Sequence, residues 1–239
     1  MSRSSKLPAR PMCSAVVPAA GSGVRMGGPN KLLLTLRGIP VLGYALLSLE
    51  QCGDIDEIII AARPADIVPY GDIVRDFGIR KAVKIIRGGE TRLHSVYNAV
   101  RECSDRAALI AVHDGARPFA TPELISRVIS AAARHGAAVP CLQLTDTIKT
   151  FENGAITGTA NRDALRAVQT PQVFDAKLLH GALYRALTEC PGVTDDCAAV
   201  EALGIRVAAV PGEVCNIKLT GPGDLALAGA ILGGATVGR

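Results

Sequence analysis

No run of one charge sign interrupts the sequence. Twenty-six Lys and Arg stand against 22 Asp and Glu, a net charge of +4, and the basic residues are scattered. Nucleic-acid binding calls for basic residues gathered on one face or tail, so a small anionic substrate fits this balance better. The seven cysteines (Cys13, Cys52, Cys103, Cys141, Cys190, Cys197 and Cys215) include no CxxC pair and no Cys/His cluster. An odd number at wide spacing argues against both zinc and a disulfide framework, and fits reduced thiols in a cytoplasmic protein. No apolar stretch reaches the ~20 residues of a membrane-spanning helix, so no membrane partner is expected. The opening MSRSSKLPARP lacks the apolar segment of a secretory signal, and residues 1–12 are expected to be a flexible terminus. No linker, internal repeat or low-complexity tract divides the rest. Residues 13–239 are therefore expected to form a single domain.

What is present is an alternation. Short β-branched runs predict strands at Ser14–Pro18, Glu57–Ala61, Val83–Arg87, Leu109–His113, Ala137–Cys141 and Ile205–Val210. Apolar residues at helical spacing predict helices over Val41–Cys52, Thr91–Cys103 and Thr121–His135. The last begins TPEL, with Thr121 as N-cap and Pro122 at the first helical position. Strand alternating with helix implies an α/β fold: a Rossmann-like, mostly parallel sheet with helices on both faces. Residues Thr145–Phe174 break the pattern. They read as two short strands around the Asn153–Gly154 turn, followed by irregular chain. A hairpin placed there has no core of its own, so an inserted β-hairpin arm over 145–174 is expected to pack on something else, with a second subunit as the candidate.

The Gly-rich stretch AVVPAAGSGVRMGGPNKLL (residues 15–33) follows the first strand. Gly23 and Gly28 have the Walker A separation, but Pro29 occupies the lysine position. Gly21 and Gly23 begin a dinucleotide fingerprint that Met26 then breaks, and the acid expected at the close of the second strand is missing from IIIAARPA. Both standard phosphate loops fail, and an incidental flexible turn is the bland alternative. The chemistry persists all the same. Glycines let backbone N–H groups approach a ligand and form a concave anion site, and Arg25 and Lys31 add full positive charge beside it.

AAGSGVRMG followed by PNK resembles the AAGxGxRM…PK signature of sugar-type nucleotidyltransferases. GGETRLHSV, VHDGARP, DTIK, AVQTPQVF, TDD and NIKLT follow in order. Together they resemble the 2-C-methyl-D-erythritol 4-phosphate cytidylyltransferase family of isoprenoid precursor biosynthesis, over roughly residues 14–232. The resemblance implies cytidylyl transfer from CTP to a polyol phosphate, with Mg²⁺ held largely by the CTP phosphates and Asp114 as a candidate protein ligand. It implies Arg25, Lys31, Arg162 and Lys218 as catalytic. The CTP site implied is Pro18, Ala19, Ala20, Gly21, Ser22, Gly23, Arg25, Lys31, Gly89, Glu90, Ser95, Asp114 and Gly115. The second substrate is assigned to Asp114, Arg117, Thr147, Arg162, Thr170, Thr194 and Lys218. It also implies a homodimer in which the arm, with Thr147 and Arg162, completes the partner's site.

Read on their own, Lys31 and Lys218 could be solvated lysines, GGETR an ordinary strand-to-helix turn, and Asp114 a turn or cap residue. His113 reads as a packed strand residue, because Asp114 alternates toward the opposite face. The chain departs from the family pattern at Val24, where a second arginine is common, and at Leu32 and Leu33, where glutamine and an aromatic are usual. A ribitol 5-phosphate cytidylyltransferase is the nearest rival, modestly disfavoured by DTIK and AVQTPQVF. A nicotinamide oxidoreductase is disfavoured by the missing third glycine and ribose-binding acid.

Overall fold

The computed structural model describes residues 10–21, 30–189 and 192–233. Among these the strands are β1 (Cys13–Ala19), β2 (Thr35–Leu36), β3 (Ile39–Pro40), β4 (Glu57–Ala62), β5 (Ala82–Arg87), β6 (Leu109–Val112), β7 (Ala137–Gln143), β8 (Lys149–Glu152), β9 (Ala155–Thr159), β10 (Arg166–Val168), β11 (Gln172–Asp175) and β12 (Ala208–Pro211). The α-helices are α1 (Val41–Gln51), α2 (Ile67–Asp76), α3 (Arg92–Val100), α4 (Pro122–His135), α5 (Ala176–Glu189), α6 (Asp196–Glu201) and α7 (Pro222–Gly233).

The eight-stranded sheet runs β10-β7-β11-β6-β1-β4-β5, with β12 also paired to β7. β1 lies parallel to both β4 and β6, and β4 is parallel to β5, whereas β10 and β11 run antiparallel to their neighbours. Because side chains alternate along a strand, each central strand feeds two cores. Ala15, Val17, Ile58, Ile60 and Ala111 pack with Leu46 of α1, Ile73 of α2 and Leu124 of α4 on one face. Val16, Ile59, Ile110 and Val112 pack with Val96 of α3, Leu183 of α5 and Val200 of α6 on the other. Fully burying one such Val, Leu or Ile side chain contributes about 1.5–3 kcal/mol relative to exposure, and both faces are covered, as a parallel sheet requires.

Strand order also fixes where a ligand can sit. The chain leaves β1 toward β4 and β5, then returns to β6 on the opposite side of β1. Residues 20–21 after β1 and the turn after β6 thus meet at the carboxyl edge beside this change of direction, the usual ligand position in open α/β sheets.

Local signals hold where the chemistry is strong. Thr121 accepts from the Leu124 N–H, Pro122 opens α4, and Gly136 closes it at φ +80°. Asn153 at φ +49° and Gly154 at φ +84° make the tight turn between β8 and β9, the pair of left-handed residues that a type I′ hairpin demands. Three expectations change. The chain after that hairpin is not irregular: β10 and β11 join the main sheet, so the hairpin projecting from it ends before Arg166. The strand expected from Ile205 begins at Ala208. Arg10–Met12 do not fray, since Arg10 pairs with Asp56 at 2.7 Å and the Met12 carbonyl accepts from Leu109 N–H at 3.1 Å. Residues 1–9 of the expected flexible terminus lie outside the described residues.

Candidate active site

A cleft of about 440 Å³ opens at the carboxyl edge of β1, β5 and β6. The end of β1 contributes Pro18, Ala19, Ala20 and Gly21; the turn after β5 contributes Gly89, Glu90 and Thr91; the turn after β6 contributes Asp114, Gly115 and Ala116. Lys31, Arg92, Ser95, Lys218 and Thr220 complete the wall with Leu32. The Gly89 turn is tight because a Cβ at that position would collide with His94. Ser95 pins it: the Ser95 hydroxyl accepts from Gly89 N–H at 3.0 Å and donates to the Thr91 carbonyl at 2.9 Å.

Charge is concentrated at the base of the cleft. Arg92, the first residue of α3, donates to Asp196 Oδ2 at 2.6 Å and to Asp114 Oδ1 at 3.4 Å. Lys218 Nζ lies 2.7 Å from Asp114 Oδ2. The Asp196 side chain is wholly buried, and that of Asp114 is 11% exposed, beneath the more open Arg92 and Lys218. Burial alone would raise the Asp114 carboxyl, but Arg92 and Lys218 overcome it and hold the pKa down at about 2. For Asp196 burial dominates and pushes its carboxyl up, against the pull of Arg92. Arg92 itself is held charged by both carboxylates despite its own burial. Lys31 Nζ reaches across to donate to the Leu219 carbonyl at 2.8 Å, tying the β1 side of the cleft to the segment that carries Lys218.

Behind the cleft a relay of hydrogen bonds fixes the backbone at Asp114. The Arg117 carbonyl can only accept, so His113 Nε2 carries the proton of that 3.1 Å contact. In a neutral ring Nδ1 then accepts from the Thr170 hydroxyl at 3.1 Å, and Thr170 Oγ1 accepts from Asp114 N–H at 3.1 Å. Complete burial keeps the ring neutral by pushing the His113 pKa down to about 4. The Lys218 segment is braced in a similar way. Gln169 Nε2 donates to the Glu213 carbonyl at 2.8 Å, Asn216 Nδ2 to the Thr170 carbonyl at 2.9 Å, and Arg117 Nη1 to the Asn216 carbonyl at 2.7 Å.

This arrangement can hold a polyanion: Lys31, Arg92 and Lys218 line one cleft together with Gly turns and one deeply set carboxylate. A family model described as IspD: 2-C-methyl-D-erythritol 4-phosphate cytidylyltransferase matches residues 13–234. The chain belongs to this family. It is 39% identical over 222 residues to a 2-C-methyl-D-erythritol 4-phosphate cytidylyltransferase of Bacillus cereus, covering 92% of this chain and 98% of that protein. Its identity to the protein of that name from Microcystis aeruginosa is 43% over 219 residues, 91% and 97% of the two chains. The solved 4-diphosphocytidyl-2C-methyl-D-erythritol synthase of Anaerococcus prevotii superposes with a TM-score of 0.83 at 32% identity, covering 93% and 96%. The Thermus thermophilus 2-C-methyl-D-erythritol 4-phosphate cytidylyltransferase gives 0.77 at 35%, covering 92% and 98%.

Of the residues expected from the family motifs, the cleft brings together Pro18, Ala19, Ala20, Gly21, Lys31, Gly89, Glu90, Ser95, Asp114, Gly115 and Lys218. Ser22, Gly23 and Arg25 lie outside the described residues. Five expected substrate contacts fall elsewhere in this chain. Thr170 is buried with its hydroxyl spent on Asp114 and His113, and Arg117 braces Asn216 and Val168 from behind. Thr147 and Arg162 are exposed on the hairpin segment, where Arg162 Nη1 donates to the Thr145 carbonyl at 2.6 Å. Thr194 is also exposed, just ahead of α6. Sequence reasoning missed Arg92 and Asp196 as participants. One signal was available: a cation in the first turn of a helix opposes the macrodipole, so Arg92 needed an anionic partner nearby.

Proposed function

We propose that this chain transfers a cytidylyl group from CTP to 2-C-methyl-D-erythritol 4-phosphate. An oxygen of the polyol phosphate attacks the α-phosphorus of CTP, the bond to the β-phosphate breaks, and its electron pair leaves with pyrophosphate. The observation that carries this reading is the convergence of Lys31, Arg92 and Lys218 on a Gly-lined cleft in a member of this family. Such a reaction asks the protein for alignment and charge neutralisation rather than for a covalent intermediate. Lys31 neutralises the triphosphate from the β1 side, the task that the family motif also assigns to Arg25. Arg92 and Lys218 add charge at the base of the cleft, and Lys218 orients the attacking phosphate. The tight Gly88–Ser95 turn sizes the base subsite for a pyrimidine, and Asp114 faces the nucleotide from below.

The donor set suits Mg²⁺. Among the described residues no three His, Cys, Asp or Glu gather as a metal cage, while Asp114 and Glu90 offer hard oxygen donors in the cleft. A small octahedral cation bound mostly through substrate phosphates needs no more than that. Bound there, it would neutralise charge on the phosphoryl oxygens. We place the reaction in the cytoplasm, in keeping with the unpaired thiols of the six described cysteines. We also infer a homodimer in which Thr147 and Arg162 enter the partner's cleft, since both are exposed on a hairpin whose Phe151 and Ile156 are 66% and 61% exposed.

Pyrophosphate release tests the reading directly. CTP with methylerythritol phosphate should turn over, CTP with ribitol 5-phosphate should be far slower, and ATP should replace CTP poorly. Comparable rates with ribitol 5-phosphate would move the chain to the rival reaction, and comparable rates with ATP would remove the pyrimidine subsite.

A further inference from the structure

Tyr70 lies outside the cleft, yet its hydroxyl joins the two chain segments that build one wall of it. The side chain comes from α2 and is wholly buried. Its hydroxyl donates to the Ala19 carbonyl at 3.1 Å and accepts from the Asn30 side-chain amide at 2.8 Å. Ala19 ends β1 and leads into Ala20 and Gly21 of the wall; Asn30 immediately precedes Lys31 and Leu32 of the same wall. Asn30 is further committed on its own side. Its Oδ1 accepts from Leu32 N–H at 3.1 Å and its backbone carbonyl from Leu33 N–H at 2.9 Å, capping the short 3-10 turn Lys31–Leu33. Lys31 then spans to the Leu219 carbonyl. Burial pushes the phenol up to about 12, so it stays protonated and remains a donor at any ordinary pH.

A phenyl ring would fill nearly the same space without the hydroxyl, so packing alone does not account for a tyrosine here. We propose that Tyr70 is a positioning residue for nucleotide binding: acting through Ala19 and Asn30, its hydroxyl holds the Pro18–Gly21 wall and Lys31 at the separation that the triphosphate requires. This rests on the reading of the cleft as a CTP site. Without the hydroxyl the Ala19 carbonyl and the Asn30 amide lose a shared partner, and the wall and Lys31 no longer move as one. Affinity for a ligand that needs both falls in proportion to the fraction of molecules still in the competent arrangement.

The test uses the full chain, Tyr70→Phe, and Asn30→Ser, which keeps a capping oxygen for the 3-10 turn but loses the amide donor. Binding of CTP with Mg²⁺ is measured by calorimetry, KM is measured separately for CTP and for the polyol phosphate, and thermal stability is recorded. The expected result is a loss of CTP affinity of about tenfold in each variant, in line with the loss of a buried hydrogen bond. KM for the polyol phosphate should stay within about twofold, and the double variant should be little worse than either single one, because both break one bridge. If Tyr70→Phe binds CTP as the wild type does, whatever happens to its stability, the bridge serves folding alone and the inference is overturned. Additive losses in the double variant overturn it as well. A wild-type chain that does not bind CTP overturns the nucleotide reading itself, and the inference with it.

Discussion

Two neighbours on the β6 edge, His113 and Asp114, should give acid stability two separate steps. His113 has its pKa depressed from 6.5 to about 4 by burial, so its contribution is fully present above pH 6.5 and is lost as pH falls toward 4. Asp114 is depressed from 3.8 to about 2 by Arg92 and Lys218 against its burial, so its contribution persists above pH 3.8 and fades toward pH 2. From these shifts the first step is on the order of 3 kcal/mol and the second on the order of 2 kcal/mol. Denaturant unfolding of metal-free protein at pH 7, 5 and 3 checks this. His113→Gln should lose less stability than the wild type between pH 7 and 5; an unchanged decrement would mean that another group titrates there. Arg92 gives a second residue-scale expectation. Arg92→Gln leaves the buried Asp196 carboxylate unpaired, at a cost of about 3–5 kcal/mol, and Arg92→Gln with Asp196→Asn should recover much of that in thermal unfolding. Activity should not return with stability, because the double variant still lacks a cleft cation. Lys31, Asp114 and Lys218 were legible in the sequence because each stands in a motif with a role attached to it. Arg92 and Asp196 stand in equally visible motifs, but the buried pairing joins residues 104 positions apart, and no local pattern encodes it.

At the scale of elements, strong local chemistry was readable and two-sided burial was not. The Thr121–Pro122 start of α4 and the Asn153–Gly154 turn followed from backbone preferences that no tertiary contact overrides. Thr121→Ala should therefore cost about 0.5–2 kcal/mol, plus the bond its hydroxyl gives Glu213 Oε1 at 2.8 Å. kcat should be unchanged, since α4 covers the sheet away from the cleft; a drop in kcat would mean that the Glu213 contact steers the Lys218 segment. β11 was hidden for the opposite reason. Its opening residue, Gln172, is polar and 2% exposed, which reads as loop until its partners are known. The Gln172 amide donates to Asp195 Oδ2 at 2.8 Å and its oxygen accepts from Cys197 N–H at 3.0 Å. A strand whose polar side chain is satisfied internally carries no alternation to detect. Gln169 and Asn216, which brace the Lys218 segment, escaped notice on the same grounds.

At the scale of the whole molecule, the hairpin is the element least explained by the chain that carries it. All of β8 is exposed, Phe151 and Ile156 among it and β9, and Leu165 and Val168 beyond them are 38% and 40% exposed. A two-stranded hairpin alone is marginal in water, and apolar residues on one are the expected mark of a surface covered by a symmetric copy. Lys31 lines the cleft of its own chain, whereas Arg162 sits on the hairpin segment and not in that cleft. If the hairpin reaches the partner, Lys31→Ala and Arg162→Ala are lesions in the same composite site, supplied by different chains. Each homodimer should then be close to inactive. A heterodimer of the two variants would hold one site with both lesions and one with neither, and should regain about half the wild-type activity per dimer, a consequence of two-fold closure. The measurement is pyrophosphate release from a heterodimer isolated by two different affinity tags. With Arg162 acting in its own chain, every site in that heterodimer would carry one lesion and activity would stay at the level of the single variants. That outcome would leave the hairpin as a structural extension and assign the attacking phosphate to Lys218 and Arg92 of one protomer.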